Sequence, residues 1–177
     1  MLARSKPTRQ HQVSQGKSAD ATSLSGLADR LTEPEGGSVA KQIRVVGAVI
    51  VHAGLVLCAQ RGPAGALPGL WEFPGGKIEA GESPESALIR EIAEELDCAI
   101  RVGDELTTTT YPYEFGDVTL TTYYCELVSG EPTSTEHTAL LWLSPEDLDS
   151  VEWAPADIPA VSLIGGDEDG RKRSALV

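Results

Sequence analysis

Gly76–Cys98 reads GKIEAGESPESALIREIAEELDC, a helix start signal running into a set of paired acids. Ser83 suits the N-cap, and Pro84 suits the first helical position, where its missing N–H costs nothing. Glu85 then sits favourably in the first turn. Leu88, Ile89, Ile92 and Leu96 recur at helical spacing and predict an apolar stripe facing a core. Glu91, Glu94 and Glu95, spaced i, i+3, i+4, project from one side of that helix. No Lys or Arg stands one turn from all three, and like charges at this spacing destabilise a helix. Such a cluster calls for positive charge from elsewhere, and hard carboxylate oxygens favour Mg²⁺ or Mn²⁺ over zinc. Just upstream, Pro74-Gly75-Gly76 predicts a turn whose bare backbone approaches a ligand closely and leaves carbonyls free for a cation.

A short acidic segment alone reads as a solvated helix face. The whole pattern is more constrained: a glycine, five residues, Glu82, seven residues, then Arg90-Glu91-Ile92-Ala93-Glu94-Glu95 on a capped helix. It resembles the box of the Nudix hydrolase family, G-x5-E-x7-R-E-U-x-E-E-x-G-U, where U is a bulky aliphatic residue. Every charged position matches. Asp97 departs from the final glycine, and Cys98 from the last aliphatic. Aspartate tolerates a left-handed helix end better than most residues, and a free cysteine packs as a small hydrophobe. The similarity extends beyond the box. Leu70–Ser83 (LWEFPGGKIEAGES) resembles the MutT branch, nucleoside triphosphate pyrophosphohydrolases that clear oxidised nucleotides from the pool. VVGAVIV and LVLCAQR upstream resemble that domain's first strands, and GEPTSTEH, ALLWLSPEDL and WAPADIP its remainder. About residues 43 to 164 are covered.

The resemblance implies an α+β fold, an α/β/α sandwich with a mixed sheet, and the pattern of the residues agrees. Ile43 to Val51 and Leu55 to Gln60 read as a hairpin around His52-Ala53-Gly54, with a short strand at Leu70 to Phe73. Glu105 to Tyr113 and Val118 to Leu127 alternate and carry Thr, Tyr and Val, predicting a second hairpin. Ala139 to Leu143 reads as a strand. Pro145 to Leu148 and Ala156 to Ile164 read as helical, with Pro159 blurring the second boundary.

The activity implied is conversion of a (d)NTP to its monophosphate and pyrophosphate, either as an 8-oxo-dGTP diphosphatase or on CTP, dCTP and 5-methyl-dCTP. ADP-ribose cleavage fits less well, because the similarity to MutT runs beyond the box. A non-catalytic nucleotide-binding module of the same fold would be expected to lose box glutamates, and all are kept. By the same resemblance Glu91, Glu94 and Glu95 bind metal, with the Gly75 carbonyl as a further ligand. Glu136 matches a second acid that ligates metal or takes the proton from water. Choosing the general base among the glutamates needs geometry. Arg90 is expected to orient a box carboxylate, and Glu82 to tie the loop to the helix. Arg61 and Lys77 flank the acidic surface and suit phosphate. Val46, Tyr113 and Phe115 are expected to wall the base pocket, and His137 to be a surface histidine. Asp157 stands where MutT-type enzymes keep an asparagine that hydrogen-bonds the base. Ionised, it accepts only, suiting the amino group of cytosine or adenine; protonated, it also donates and so can read an oxidised guanine.

The 177 residues suit one domain with extensions. Residues 1–40 read as a polar leader, 41–164 as the domain and 165–177 as a mobile tail, without secretion signal or membrane span. Residues 41–164 carry 6 Lys/Arg and 20 Asp/Glu, a net of −14. That charge repels a nucleic-acid polymer and points to free, metal-bound nucleotides, handled by a monomer or weak dimer. Three cysteines in apolar contexts make no disulfide framework and fit a reducing cytoplasm.

Overall fold

The run Val45–Val51 is buried almost without interruption because β1 (Gln42–His52) lies inside a sheet covered on both faces. Val46, Ala48 and Ile50 pack under the acidic helix, whereas Val49 and Val51 point into a second cluster on the opposite side. The computed structural model describes residues 41–166. The residues read as leader, and all of the tail beyond Gly166, lie outside them.

β1 turns at Ala53-Gly54 into β2 (Leu55–Gln60) and pairs antiparallel with it. β3 (Trp71–Glu72) and β7 (Ala139–Leu143) both add to β2. On its other side β1 runs parallel to β6 (Gly116–Ser129), which pairs antiparallel with β5 (Ala99–Tyr113). One mixed seven-stranded sheet results, in the order β3-β2-β1-β6-β5 with β4 (Gly75–Lys77) and β7 at its sides. α1 (Pro84–Leu96) covers one face; a 3-10 helix (Pro145–Ser150) and α2 (Ile158–Gly166) cover the other. This is the expected α/β/α sandwich.

α1 begins and ends as its sequence dictates. The Ser83 hydroxyl accepts from the Ser86 N–H at 3.2 Å, Pro84 opens the helix, and Asp97 closes it in the left-handed region (φ 50, ψ 37). Cys98 is buried in the α1 cluster. The predicted stripe needs one correction. Ile89 is 48% exposed, and Ala87 takes its place beside Leu88, Ile92 and Leu96. Steps of four residues advance about 40° around a helix, so phase alone would place 89 beside 88, 92 and 96; the sheet packed against α1 decides instead that the 87 flank is covered. Leu88 is fully buried, so Leu88→Ala is expected to cost about 2–5 kcal/mol, read from the urea midpoint at unchanged m.

Three other expectations change. Pro74-Gly75-Gly76 is not a turn: Gly75–Lys77 forms β4, antiparallel to β1 with Gly76 opposite Val46. The second hairpin is longer than its alternation suggested, because register shifts between Val102 and Thr107 break the period. Helix α2 begins at Ile158 and runs two residues past Ile164, Pro159 sitting in its first turn, where no N–H is needed.

Candidate active site

A cavity of about 830 Å³ opens between the first half of β1, the loop after β2, β4 and the 156–157 turn. Its polar lining includes Arg61, Glu72, Lys77, Glu95, Glu136 and Asp157, with Val46, Tyr113 and Phe115 among its apolar walls. Gly75 and Gly76 bring bare backbone to it.

Arg90 organises the base of α1. Its guanidinium reaches Glu82 at 2.8 Å, Glu91 at 2.9 Å, Glu94 at 3.3 Å and the Lys77 carbonyl at 3.1 Å. The Arg90 hydrogen bond, aided by the Glu79 N–H, holds the Glu82 carboxyl down at about 2. Glu82 thus ties loop to helix as expected. Two of the three clustered glutamates have a cation beside them, because Arg90 precedes Glu91 by one residue and Glu94 by one turn; it does not serve all three. Glu94 is 62% exposed and lies outside the cavity lining. The Glu91 carboxylate sits against Gly76, in the space a side chain there would fill.

Glu95 differs from both. One carboxylate oxygen, Oε2, is buried with no hydrogen-bond partner. Burial raises its pKa, opposed by the charge of His137 and reinforced by Glu91, Glu136 and Glu72. The C-terminal carbonyls of α1 explain how Glu136 reaches it. The Thr133 N–H donates to Leu96 at 3.0 Å and the Thr135 N–H to Glu95 at 3.3 Å, capping the helix with the 131–137 loop. That loop brings Glu136 and His137 to the Glu95 end of the cavity.

His137 is not the surface residue expected from sequence. Its side chain is 7% exposed, Nε2 lies 3.3 Å from Glu72, and Nδ1 has no partner. Burial works against its charge, but the Glu72 hydrogen bond and the charges of Glu72 and Glu95 prevail and raise its pKa. Glu72 also pairs with Arg61, whose Nε donates to the Ala66 carbonyl at 2.6 Å. The guanidinium expected on phosphate is therefore occupied in holding Glu72 and the loop after β2. Sequence reading passed over Glu72 because a lone acid in a two-residue strand carries no spacing signal.

Asp157 is 4% exposed and accepts from the Phe73 N–H at 3.1 Å. Burial pushes its carboxyl up to about 8, only partly offset by that hydrogen bond. Tyr113 is half-buried and stacks on the exposed ring of Phe115, with centroids 5.0 Å apart and planes 6° from parallel.

No group of three or more acids, histidines or cysteines is already gathered as a cation cage among the described residues. The donor set still fits a hard divalent ion. Glu95 offers a buried, unpartnered oxygen, Glu136 lines the same wall, and the glycine backbone leaves room beside them.

Comparison with known proteins agrees with this geometry. Residues 45–163 match the family described as NUDIX domain. A Mycobacterium tuberculosis protein named "Putative 8-oxo-dGTP diphosphatase 2" is 45% identical over 123 residues, 66% of this chain and 82% of that protein. The CTP pyrophosphohydrolase of Escherichia coli K12 is 40% identical over 124 residues, 70% of this chain and 92% of that protein. Among solved structures, a MutT protein of methicillin-resistant Staphylococcus aureus superposes with a TM-score of 0.62 at 53% identity, covering 72% of this chain and 98% of that one. Because the match runs from β1 to α2 and is not confined to the acidic helix, this chain belongs to the Nudix family.

Proposed function

We propose that this protein is a Mg²⁺-dependent nucleoside triphosphate pyrophosphohydrolase, releasing pyrophosphate and a nucleoside monophosphate. The observation that carries the reading is the unpartnered buried oxygen of Glu95, which lines with Glu136 a cavity of nucleotide size. Nudix hydrolases generally use divalent metals; Mg²⁺, with Mn²⁺ as substitute, suits all-oxygen ligands. Glu95, Glu91, Glu136 and the Gly75 carbonyl would hold it, with Glu94 joining once released from Arg90. The metal supplies charge neutralisation on the phosphate oxygens and a more acidic water. Arg90 fixes Glu91 in place, and Lys77 on β4 is the cation best placed for phosphate. A glutamate of the Glu95–Glu136 pair accepts the proton from the attacking water.

Two relatives carry names for different substrates, and Asp157 bears on the choice. Below about pH 8 its carboxyl keeps a proton, so it presents a donor beside an acceptor. That pair complements N3 and the amino group of cytosine, and equally the O6 and N7–H of 8-oxoguanine. Pool sanitation on 8-oxo-dGTP is our first reading and CTP or dCTP hydrolysis the second. Residues 41–164 form the catalytic unit, acting on free nucleotides as a monomer or weak dimer. The buried free thiols of Cys58, Cys98 and Cys125 favour a reducing cytoplasm.

The test is pyrophosphate release over CTP, dCTP, 5-methyl-dCTP, dGTP and 8-oxo-dGTP with Mg²⁺. Silence across that panel rejects the enzyme reading, and the ratio of kcat/KM values ranks the substrates. A pH profile adds an independent check. Asp157 faces Glu72, Arg61, the hydroxyl of Tyr113 and the Phe73 N–H. As pH rises through about 8 the proton is lost, and with it the donor, so kcat/KM for CTP should fall. Asp157→Asn keeps a donor beside an acceptor without titrating, so it should hold activity and flatten that fall. Asp157→Ala should lower kcat/KM by about tenfold or more through KM. The same shift has a stability sign. The folded pKa lies above the unfolded one, so stability is full below about pH 4 and declines as pH rises to about 8.

A further inference from the structure

Tyr111 and Tyr113 stand at a period of two at the end of β5, and Phe115 in the turn that follows stacks on Tyr113, so the three rings lie together at one end of the hairpin. A wall of stacked rings would be served equally well by phenylalanine at all three positions. Position 113 is different because its hydroxyl enters the backbone of the base-reading turn. The Ala156 N–H donates to the Tyr113 oxygen at 3.0 Å. Ala156 is the residue before Asp157, and both line the cavity together with Tyr113. The hairpin cannot swing away, because Asp117 next to its turn donates its N–H to the Lys41 carbonyl at 2.9 Å.

A tyrosine hydroxyl that accepts one bond still has a hydrogen to give. No protein acceptor takes it among the described residues, although the oxygen is partly buried at the cavity wall. Burial raises the pKa of this phenol, with the Asp157 charge adding to the rise and the Ala156 N–H opposing it. The group stays a donor across the neutral range.

We propose that Tyr113 is a specificity-determining residue whose hydroxyl, oriented by the Ala156 N–H, donates to a carbonyl of the base beside the edge read by Asp157. The proposal rests on the reading of Asp157 given above and takes the second of the two substrates, a cytosine nucleotide, as the base that is read. With the Asp157 proton on the oxygen beside Tyr113, donor, donor and acceptor in a row match the O2, N3 and N4 amino edge of cytosine. A purine without a carbonyl next to its paired ring nitrogen offers nothing to the third group.

Tyr113→Phe keeps the ring and its stack on Phe115 while removing the donor. CTP and 2-thio-CTP are compared in the full-length parent and in this variant, since a thiocarbonyl is a poor acceptor. In the parent, kcat/KM should favour CTP over 2-thio-CTP by about tenfold, the size of one hydrogen bond. In Tyr113→Phe, CTP should lose about tenfold, through KM, and the preference over 2-thio-CTP should vanish. Equal losses on both substrates would reduce Tyr113 to a support of the turn and overturn the assignment. So would a parent that turns over both nucleotides alike, a result that needs no variant to fold. If CTP is not hydrolysed by the parent while 8-oxo-dGTP is, the cytosine edge falls and the contact with it. Loss of base selectivity in Asp157→Ala beside an unaltered Tyr113→Phe would leave the Asp157 reading standing and remove only this one.

Discussion

Glu95→Gln is expected to lower kcat by about two to four orders of magnitude with the fold intact. The glutamine has the shape of the carboxylate it replaces, so the packing at the end of α1 is preserved. What disappears is the negative charge on an oxygen that has no protein partner. Burial, with the charges of Glu91, Glu136 and Glu72, outweighs the pull of His137 and disfavours a charge here, so neutralising Glu95 relieves that cost. The unfolding midpoint should therefore hold or rise while turnover collapses. Steady-state kinetics with a thermal melt on the same sample reads both quantities. Near-normal turnover would sink the assignment of Glu95 to the reacting centre.

The second large effect concerns a residue without a side chain. A methyl group at Gly76 would fall on the carboxylate of Glu91, which Arg90 holds at 2.9 Å. Strand β4 is held against β1 by its ladder, with Gly76 opposite Val46 and Gly75 opposite Gly47. Glu91 must give way instead, and its displacement spreads to the Arg90 network and to Glu82. Gly76→Ala is expected to cost about 1–3 kcal/mol of stability as an overpacked contact. Its larger effect should be on activity, about a hundredfold in kcat/KM, because catalytic groups misplaced by an ångström lose that much. Wild-type activity in Gly76→Ala would mean that Glu91 need not stay where the sheet puts it.

Much of this architecture was legible before any coordinates. The α1 cap, its left-handed end at Asp97, β2 and β7 all follow from local chemistry, and local chemistry is written in neighbouring residues. The misjudged elements fail where pairing with distant chain overrides the local signal. Gly75–Lys77 looks like a turn by composition but becomes a strand because β1 offers it an edge. The start of β5 hides behind Gly103-Asp104, where a bulge interrupts the alternation that marks a strand. Ile89 counts as apolar in sequence yet faces outward, since only the sheet decides which side of α1 is covered.

The site divides along the same line. Glu91, Glu94 and Glu95 stand together in the sequence, but their equivalence does not survive folding. Arg90 takes two of them, and burial beside Glu136 and His137 singles out the third. Residue types and their spacing along Gly76–Cys98 determined the family, the helix and the acidic chemistry, because one helix turn is fixed by backbone geometry alone. Which acid is left without a partner, why the Asp157 carboxyl is pushed up, and why Tyr113 has a hydrogen to spare were decided by the tertiary structure. Those properties depend on burial and on partners from Glu72, Phe73, Glu136 and Ala156, residues distant in the chain that only the packed sandwich brings into contact.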